Sequence, residues 1–297
     1  MGLGDSDVAP LLAYFEPAEP AARERLTQVV QSFVAGYNFG IACENMEDLI
    51  HALGGHDHER SGFAWEGAGM GVALRTLLVP GNRAFGDYLA RASRHHYIVH
   101  IGAGWAMARV GFRHGALRKQ MCPIYHWLAW DGMGFHQSMF EPQKTLKEHQ
   151  GRPTKDYSGP AFDQGVGRAL WFVAAARPDE LKLQIQSFPS ERHADLWGGV
   201  GLATTYAGGV PDDILEAVVE ASGEHRAALG VGSALAVHTR HRTGNATPHT
   251  ARASLILTGH SEQDIPPLIH RIEAELGTGD EVYPRLRSRL QAHFQKA

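Results

Sequence analysis

Cysteine is scarce in this chain of 297 residues, which holds only Cys43 and Cys122. Two thiols cannot build a disulfide framework, and such sparing use fits a reducing compartment, the cytoplasm. Charge of one sign is not in surplus either. Lys and Arg number 28 against 32 Asp and Glu, for a net charge of -4 and a pI near 6.5. That balance gives no electrostatic reason to expect nucleic acid or an anionic membrane as a partner. Long apolar runs are missing. The cleanest, Ala169 to Ala176, falls far short of the ~20 residues that cross a bilayer. Met1 to Asp7 lacks a basic stretch leading into an apolar one, so no signal peptide is expected. The familiar catalytic signatures are absent as well. No serine sits in G-x-S-x-G, no H-E-x-x-H occurs, and neither cysteine has a local nucleophile motif.

What the chain does contain is a recurring glycine pair: Gly67/Gly69, Gly102/Gly104, Gly132/Gly134, Gly165/Gly167, Gly199/Gly201 and Gly230/Gly232. The first glycines are 35, 30, 33, 34 and 31 residues apart, and a weaker copy, Gly36/Gly40, lies 31 residues upstream. A period in this range marks stacked structural repeats. A dinucleotide loop is the competing meaning of Gly-x-Gly. It fails here because every copy lacks the third glycine of G-x-G-x-x-G, with Val72, Met107, Gln137, Leu170, Thr204 and Leu235 in its place.

The unit reads as a helical hairpin. Pro178-Asp179-Glu180 starts one helix, Pro189 marks a turn, and a second helix runs from His193 to about Tyr206 before Gly208-Gly209 stops it. The plan restarts at Pro211-Asp212-Asp213. The glycine-bearing helix is apolar nearly all round and belongs in an inner layer; its charged partner belongs outside. The expected fold is all-α, a two-layer helical-hairpin repeat of about seven units of 30–35 residues, either an α-solenoid or a curled α/α toroid. Residues 20–262 form the repeat domain, 1–19 an N-terminal extension, and 263–297 a two-helix C-terminal cap with Glu273, Glu281, Arg285, Arg287 and Arg289 on a polar outer face.

Departures from the pattern locate candidate chemistry. With the first glycine of each pair numbered zero, positions -3, 0 and +4 share a face that is apolar, and small at 0 and +4, except that His136 occupies +4 in the Gly132 copy. Positions -2 and -1 carry Trp65-Glu66, His100-Ile101, Trp130-Asp131, Asp163-Gln164 and Trp197-Gly198, with Arg168 a turn after Gln164 and Trp105 nearby. Equivalent positions in a curved stack line one surface. The expectation is an aromatic cleft walled by Trp65, Trp105, Trp130, Trp197, Gln164 and Arg168, with Asp131, His136, Glu66, His100 and Asp163 as general acids and bases. The same groups could instead pair off to fix the stacking register. No metal or other cofactor is assigned. Asp212-Asp213-x-x-Glu216 reads as helix-start acids, and the histidine clusters His56/His58, His95/His96 and His96/His100 lack a complete ligand signature.

These stretches together resemble the bacterial family of unknown function numbered 1702. The resemblance rests on Phe33-Val34-Ala35-Gly36-Tyr37, Gly62-Phe63-Ala64-Trp65-Glu66-Gly67-Ala68, His100-Ile101-Gly102-Ala103-Gly104-Trp105-Ala106, Asp131-Gly132-Met133-Gly134-Phe135-His136, Phe162 to Phe172, Ala194-Asp195-Leu196-Trp197 and Thr205 to Gly209. It implies a place in enediyne or related polyketide biosynthesis and brings no assigned catalytic residues. The combined expectation is a protein that takes an apolar polyene-like intermediate and drives a cyclisation, isomerisation or elimination by proton transfer. The alternative is a non-catalytic helical-repeat scaffold or carrier that holds the intermediate or docks pathway enzymes.

Overall fold

Proline, acid and glycine punctuate the helices as the sequence suggests. Pro178 opens a helix, Asp212 and Asp213 occupy the first turn of another, and Gly208, Gly244, Gly259 and Gly277 end helices at positive φ. The computed structural model describes residues 2–296 and is all-helical there. In chain order the helices are α1 (Asp5–Ala13), α2 (Pro20–Ala42), α3 (Met46–Gly54), α4 (Ser61–Leu78), α5 (Ala84–Arg91), α6 (His96–Arg109), α7 (His114–Arg118) and α8 (Leu128–Phe140). They continue as α9 (Ser158–Val173), α10 (Pro178–Gln186), α11 (His193–Ala207), α12 (Asp212–Ser222), α13 (Arg226–Thr243), α14 (Pro248–Thr258), α15 (Ile265–Leu276) and α16 (Val282–Phe294). No helix among the described residues is long and apolar enough to cross a membrane.

The glycine-bearing helices α2, α4, α6, α8, α9, α11 and α13 form an inner layer in which each packs mainly on the one before and the one after. Every residue of α11 from Leu196 to Ala207 is buried, whereas outer helix α10 buries only Leu181 and Ile185. The two glycines of a pair face opposite neighbours. A β-carbon at Gly165 would collide with the Asp131 carbonyl of the preceding inner helix; one at Gly167 would collide with the Leu196 carbonyl of the following one. The same holds at Gly132 and Gly134 against Ile101 and Phe162. Two residues along a helix turn through ~200°, so one Gly-x-Gly lets backbone meet backbone on both sides.

These contacts shift the alignment of the outermost copies. Gly232, not Gly230, abuts the preceding helix, at Gly198; Gly36 abuts the following one, at Ala64. The structural zero positions are therefore Val34, Gly67, Gly102, Gly132, Gly165, Gly199 and Gly232, separated by 33, 35, 30, 33, 34 and 33 residues. The outer layer is less regular than expected. Between α6 and α8 it holds only five-residue α7, and between α8 and α9 a π-helical turn, Gln143–Lys147.

The inner layer curls until its late helices meet its early ones. Arg25 of α2 donates to the Ala207 carbonyl at 2.5 Å. Arg240 of α13 donates to Glu59 O at 2.8 Å and to Tyr206 O, and lies over the Tyr206 ring. Arg242 donates to Ser93 O at 2.9 Å. In the C-terminal pair, Glu281, Arg285 and Arg289 are exposed, but Arg287 is buried between Tyr157 and Asp195, contrary to its expected place on the outer face. The N-terminal segment is part of the packing: Phe15 is fully buried against Phe172, and Leu3 exchanges backbone hydrogen bonds with the Asn38 amide.

Candidate functional site

With the corrected zero, one stripe of each inner helix points into the middle of the curl. Positions -1 and +3 lie within ~40° of one another on a helix, and -2 lies roughly 120° away from the stripe they define. The -1 row reads Phe33, Glu66, Ile101, Asp131, Gln164, Gly198 and Val231, and the +3 row Tyr37, Met70, Trp105, Phe135, Arg168, Leu202 and Leu235. The polar members of these rows converge. Arg168 Nη1 donates to Asp131 Oδ1, and its Nη2 lies 3.4 Å from Glu66 Oε1. Gln164 Nε2 donates to Asp131 Oδ2 at 2.5 Å, while Tyr283 of α16 donates to Gln164 Oε1 at 3.1 Å. Tyr97 and Tyr283 hydroxyls are 3.0 Å apart. Both Asp131 oxygens are thus engaged, and the Arg168 guanidinium rests on the Phe135 ring.

A narrow cavity opens from this cluster toward the C-terminal ends of α6, α8 and α9. Its void is about 760 Å³ counted out to the mouth. The walls are apolar, with Phe33, Phe63, Met70, Trp105, Phe135 and Phe172 prominent. Glu66 and Arg168 are the polar groups inside, and Asp7 and Arg109, both exposed, complete the lining. Leu3, Val8, Leu11 and Phe15 cover it from the N-terminal side.

Burial pushes the Glu66 carboxyl up to about 7; the Arg168 charge pulls it down, and the Asp131 charge adds to the rise. The two carboxylates flanking Arg168 are held differently. Asp131 takes two hydrogen bonds from fixed partners, while Glu66 faces the apolar cavity across a longer contact.

The -2 residues do not join this site, because their positions turn them toward the outer layer. Trp65 stacks on His95 with ring centroids 4.2 Å apart, and its carbonyl accepts from Tyr88. His100 is held at both nitrogens, Nδ1 by the His96 carbonyl at 2.6 Å and Nε2 by the Cys122 amide at 3.0 Å. Burial pushes it down to about 3, so it is a neutral strut joining α6 to the following loop. Asp163 is clamped by Arg192 and Arg152 at 2.6 Å each. Trp130 is half-buried and lines no part of the cavity; Trp197 lines a shallow depression with Lys182 and Glu220. His136, at +4, faces back toward Trp105 and Phe140 instead of Asp131, and burial pushes it down to about 3, with Arg109 adding to the fall. Of the expected aromatic wall only Trp105 is in place. Of the expected acid–base set only Glu66 and Asp131 come together, with Gln164 and Arg168.

Tyr97, Tyr283 and the α1 cover had no signal in the repeat pattern. Tyr283 arrives from a helix 119 residues beyond Gln164, and α1 lies outside the periodic region.

A family profile described as "Protein of unknown function (DUF1702)" matches residues 6–294. No curated protein and no solved structure matches.

Proposed function

Because the chain belongs to the DUF1702 family, we propose that it serves a polyketide-type secondary-metabolite pathway in the cytoplasm, binding a slim polyene-like intermediate and moving a proton on it with Glu66. The reading is carried by one observation: a buried carboxyl whose ordinary range is lifted to about 7 opens on an apolar slot beside an arginine. A carboxyl in that range both takes and returns a proton at neutral pH. Ionised Glu66 would remove a proton from an allylic carbon and return it at the far end of the conjugated chain. The formula is unchanged and the double bonds have shifted; ring closure would use the same electron pair to form a new carbon–carbon bond, and elimination would use it to expel a leaving group, which departs with that group's electron pair. Arg168, fixed by Asp131, pairs with Glu66 while it is ionised, before the first transfer and after the second, and its charge offsets that of the substrate carbanion between them. Asp131 is thus a positioning residue. The apolar, aromatic walls suit a conjugated hydrocarbon chain.

A second reading, a non-catalytic carrier, is favoured by the way α1 and Phe15 cover the cavity, which would shield an unstable chain from solvent. One experiment separates the two. The purified protein is incubated in D₂O with a synthetic linear conjugated polyene and followed by absorbance and mass spectrometry. The enzyme reading expects deuterium uptake and a shifted absorption band, with Glu66→Gln binding the polyene but exchanging ~100-fold or more slowly. Binding by the wild type with neither deuterium uptake nor a shifted absorption band supports the carrier, and an absence of binding sinks both.

A further inference from the structure

Away from the central cavity, the seventh inner helix meets the C-terminal pair through three side chains with metal-ligand chemistry. They are His238 of α13 and His270 and Glu273 of α15, and one potential ligand atom from each lies within 4.8 Å of the others. His270 and Glu273 are three residues apart, so they stand on one face of α15 one turn from each other. The His238 and His270 rings are 5.1 Å apart and nearly perpendicular, at 84°. His238 is buried, and its Nδ1 has no hydrogen-bond partner. A buried imidazole nitrogen left unbonded costs stability unless something occupies it. No other group of three or more such side chains converges among the described residues.

We propose that His238, His270 and Glu273 bind a divalent transition metal, zinc in the first instance, with water as the fourth ligand. Two histidines and one glutamate are a donor set that zinc accepts, leaving one tetrahedral position open. Ligand atoms around a tetrahedral zinc sit ~3.3 Å apart, given bonds of about 2.0–2.2 Å. The ligand atoms must therefore close by up to about 1.5 Å. His270 is exposed and Glu273 only half-buried, so both are free to turn. The nearby Arg242 is held elsewhere, donating to Tyr125 Oη at 3.1 Å and to Ser93 O at 2.9 Å. The metal would pin α15 to α13 and so steady the α15–α16 pair that carries Tyr283 to Gln164. Such a site departs from the metal-free reading of the sequence: its three ligands span two helices and match no local motif.

The test uses the full-length protein and two probe ions. Titration calorimetry with Zn²⁺ should show one tight site per chain, and Co²⁺ should give the intense visible band of a four-coordinate nitrogen–oxygen site. His270→Ala and Glu273→Gln alter exposed and half-buried side chains, so both should fold; each should weaken Zn²⁺ binding at least tenfold and abolish the rise in melting temperature on adding Zn²⁺. His260→Ala serves as control, since His260 and His293 form a second histidine pair with Nε2 atoms 3.2 Å apart. Zinc retained by His260→Ala and lost by His270→Ala supports the site. The reverse pattern, or wild-type binding weaker than about 0.1 mM, overturns it.

Discussion

Burial raises the Glu66 carboxyl beside the Arg168 guanidinium, and this yields a stability prediction that runs opposite to activity. A carboxyl held near 7 in the folded protein and near 4.5 in the unfolded chain keeps its proton across that window only when folded. Stability from this group therefore falls as pH rises from about 4.5 to 7 and is lowest above it, by roughly 3 kcal/mol at most. Glu66→Gln should accordingly be 1–3 kcal/mol more stable than wild type at pH 8 and equal to it at pH 5, by denaturant unfolding. Greater stability at both pH values would show that the carboxyl is not raised. Asp131→Asn should act through its neighbour. Removing that negative charge lets Arg168 serve Glu66 alone, so the Glu66 titration, followed by carbonyl infrared absorption or by any pH–rate profile, moves downward; an unmoved titration would break the coupling. His136, the residue that most clearly violated the small-residue rule, belongs to neither acid. Position +4 faces the preceding helix, not the centre, and rotation through 100° per residue separates the two directions.

At the scale of the helix, the glycine pair is a two-sided contact, and its consequence can be measured by comparing two copies of the motif. Gly165→Ala would drive a β-carbon into the Asp131 backbone, whereas at Gly230 the nearest atoms lie 3.4 Å away, the Leu257 carbonyl and the Phe294 ring. Overpacking of backbone against backbone should cost Gly165→Ala at least ~2 kcal/mol. Gly230→Ala should be neutral or up to ~1 kcal/mol stabilising, since alanine favours helix over glycine. Equal effects in thermal melts would refute the two-sided reading. Much of this was legible in the sequence: the helix starting at Pro178, the stop at Gly208, the inner layer, and the rows holding Glu66, Asp131 and Gln164. Two things were not. Aligning by the first visible glycine shifts the first and last copies by two residues, because the terminal inner helices have one inner neighbour each and need only one glycine of the pair. And placing -2 beside -1 on one surface overlooked that adjacent residues point ~100° apart, which sent Trp65, His100, Asp163 and Trp197 outward. The partners of Asp163, Arg152 and Arg192, come from a loop and a short turn, where no period applies.

For the whole molecule, histidine burial sets the acid limit. His95 and His126 are pushed down to about 4 and His100 and His136 to about 3, burial being the main cause at each. Below about 6.5, the ordinary histidine value, the unfolded chain takes up protons that the folded one refuses, so stability drops as pH falls. Each such group contributes about 1.4 kcal/mol per pH unit once well below that value. Four of them outweigh the single opposing carboxyl, Glu66. The melting temperature should peak near neutrality and fall steeply between pH 6.5 and 5, well above the ordinary carboxylate range. A flat profile down to pH 5 would mean that these rings are solvated.

The curl closed by Arg25, Arg240 and Arg242 also bears on how such a chain can grow. An open stack of hairpins gains length by duplication, since its end accepts another unit. Here the late inner helices are already bonded to Glu59, Ser93 and the α2 flank through Arg240, Arg242 and Arg25. One extra hairpin would have to break those bonds and widen the centre where Glu66, Asp131 and Arg168 meet. The number of units is thus fixed by geometry. Variation in what the cavity accepts must come from side chains on the inward stripe and from the segment that covers it, not from the count of repeats.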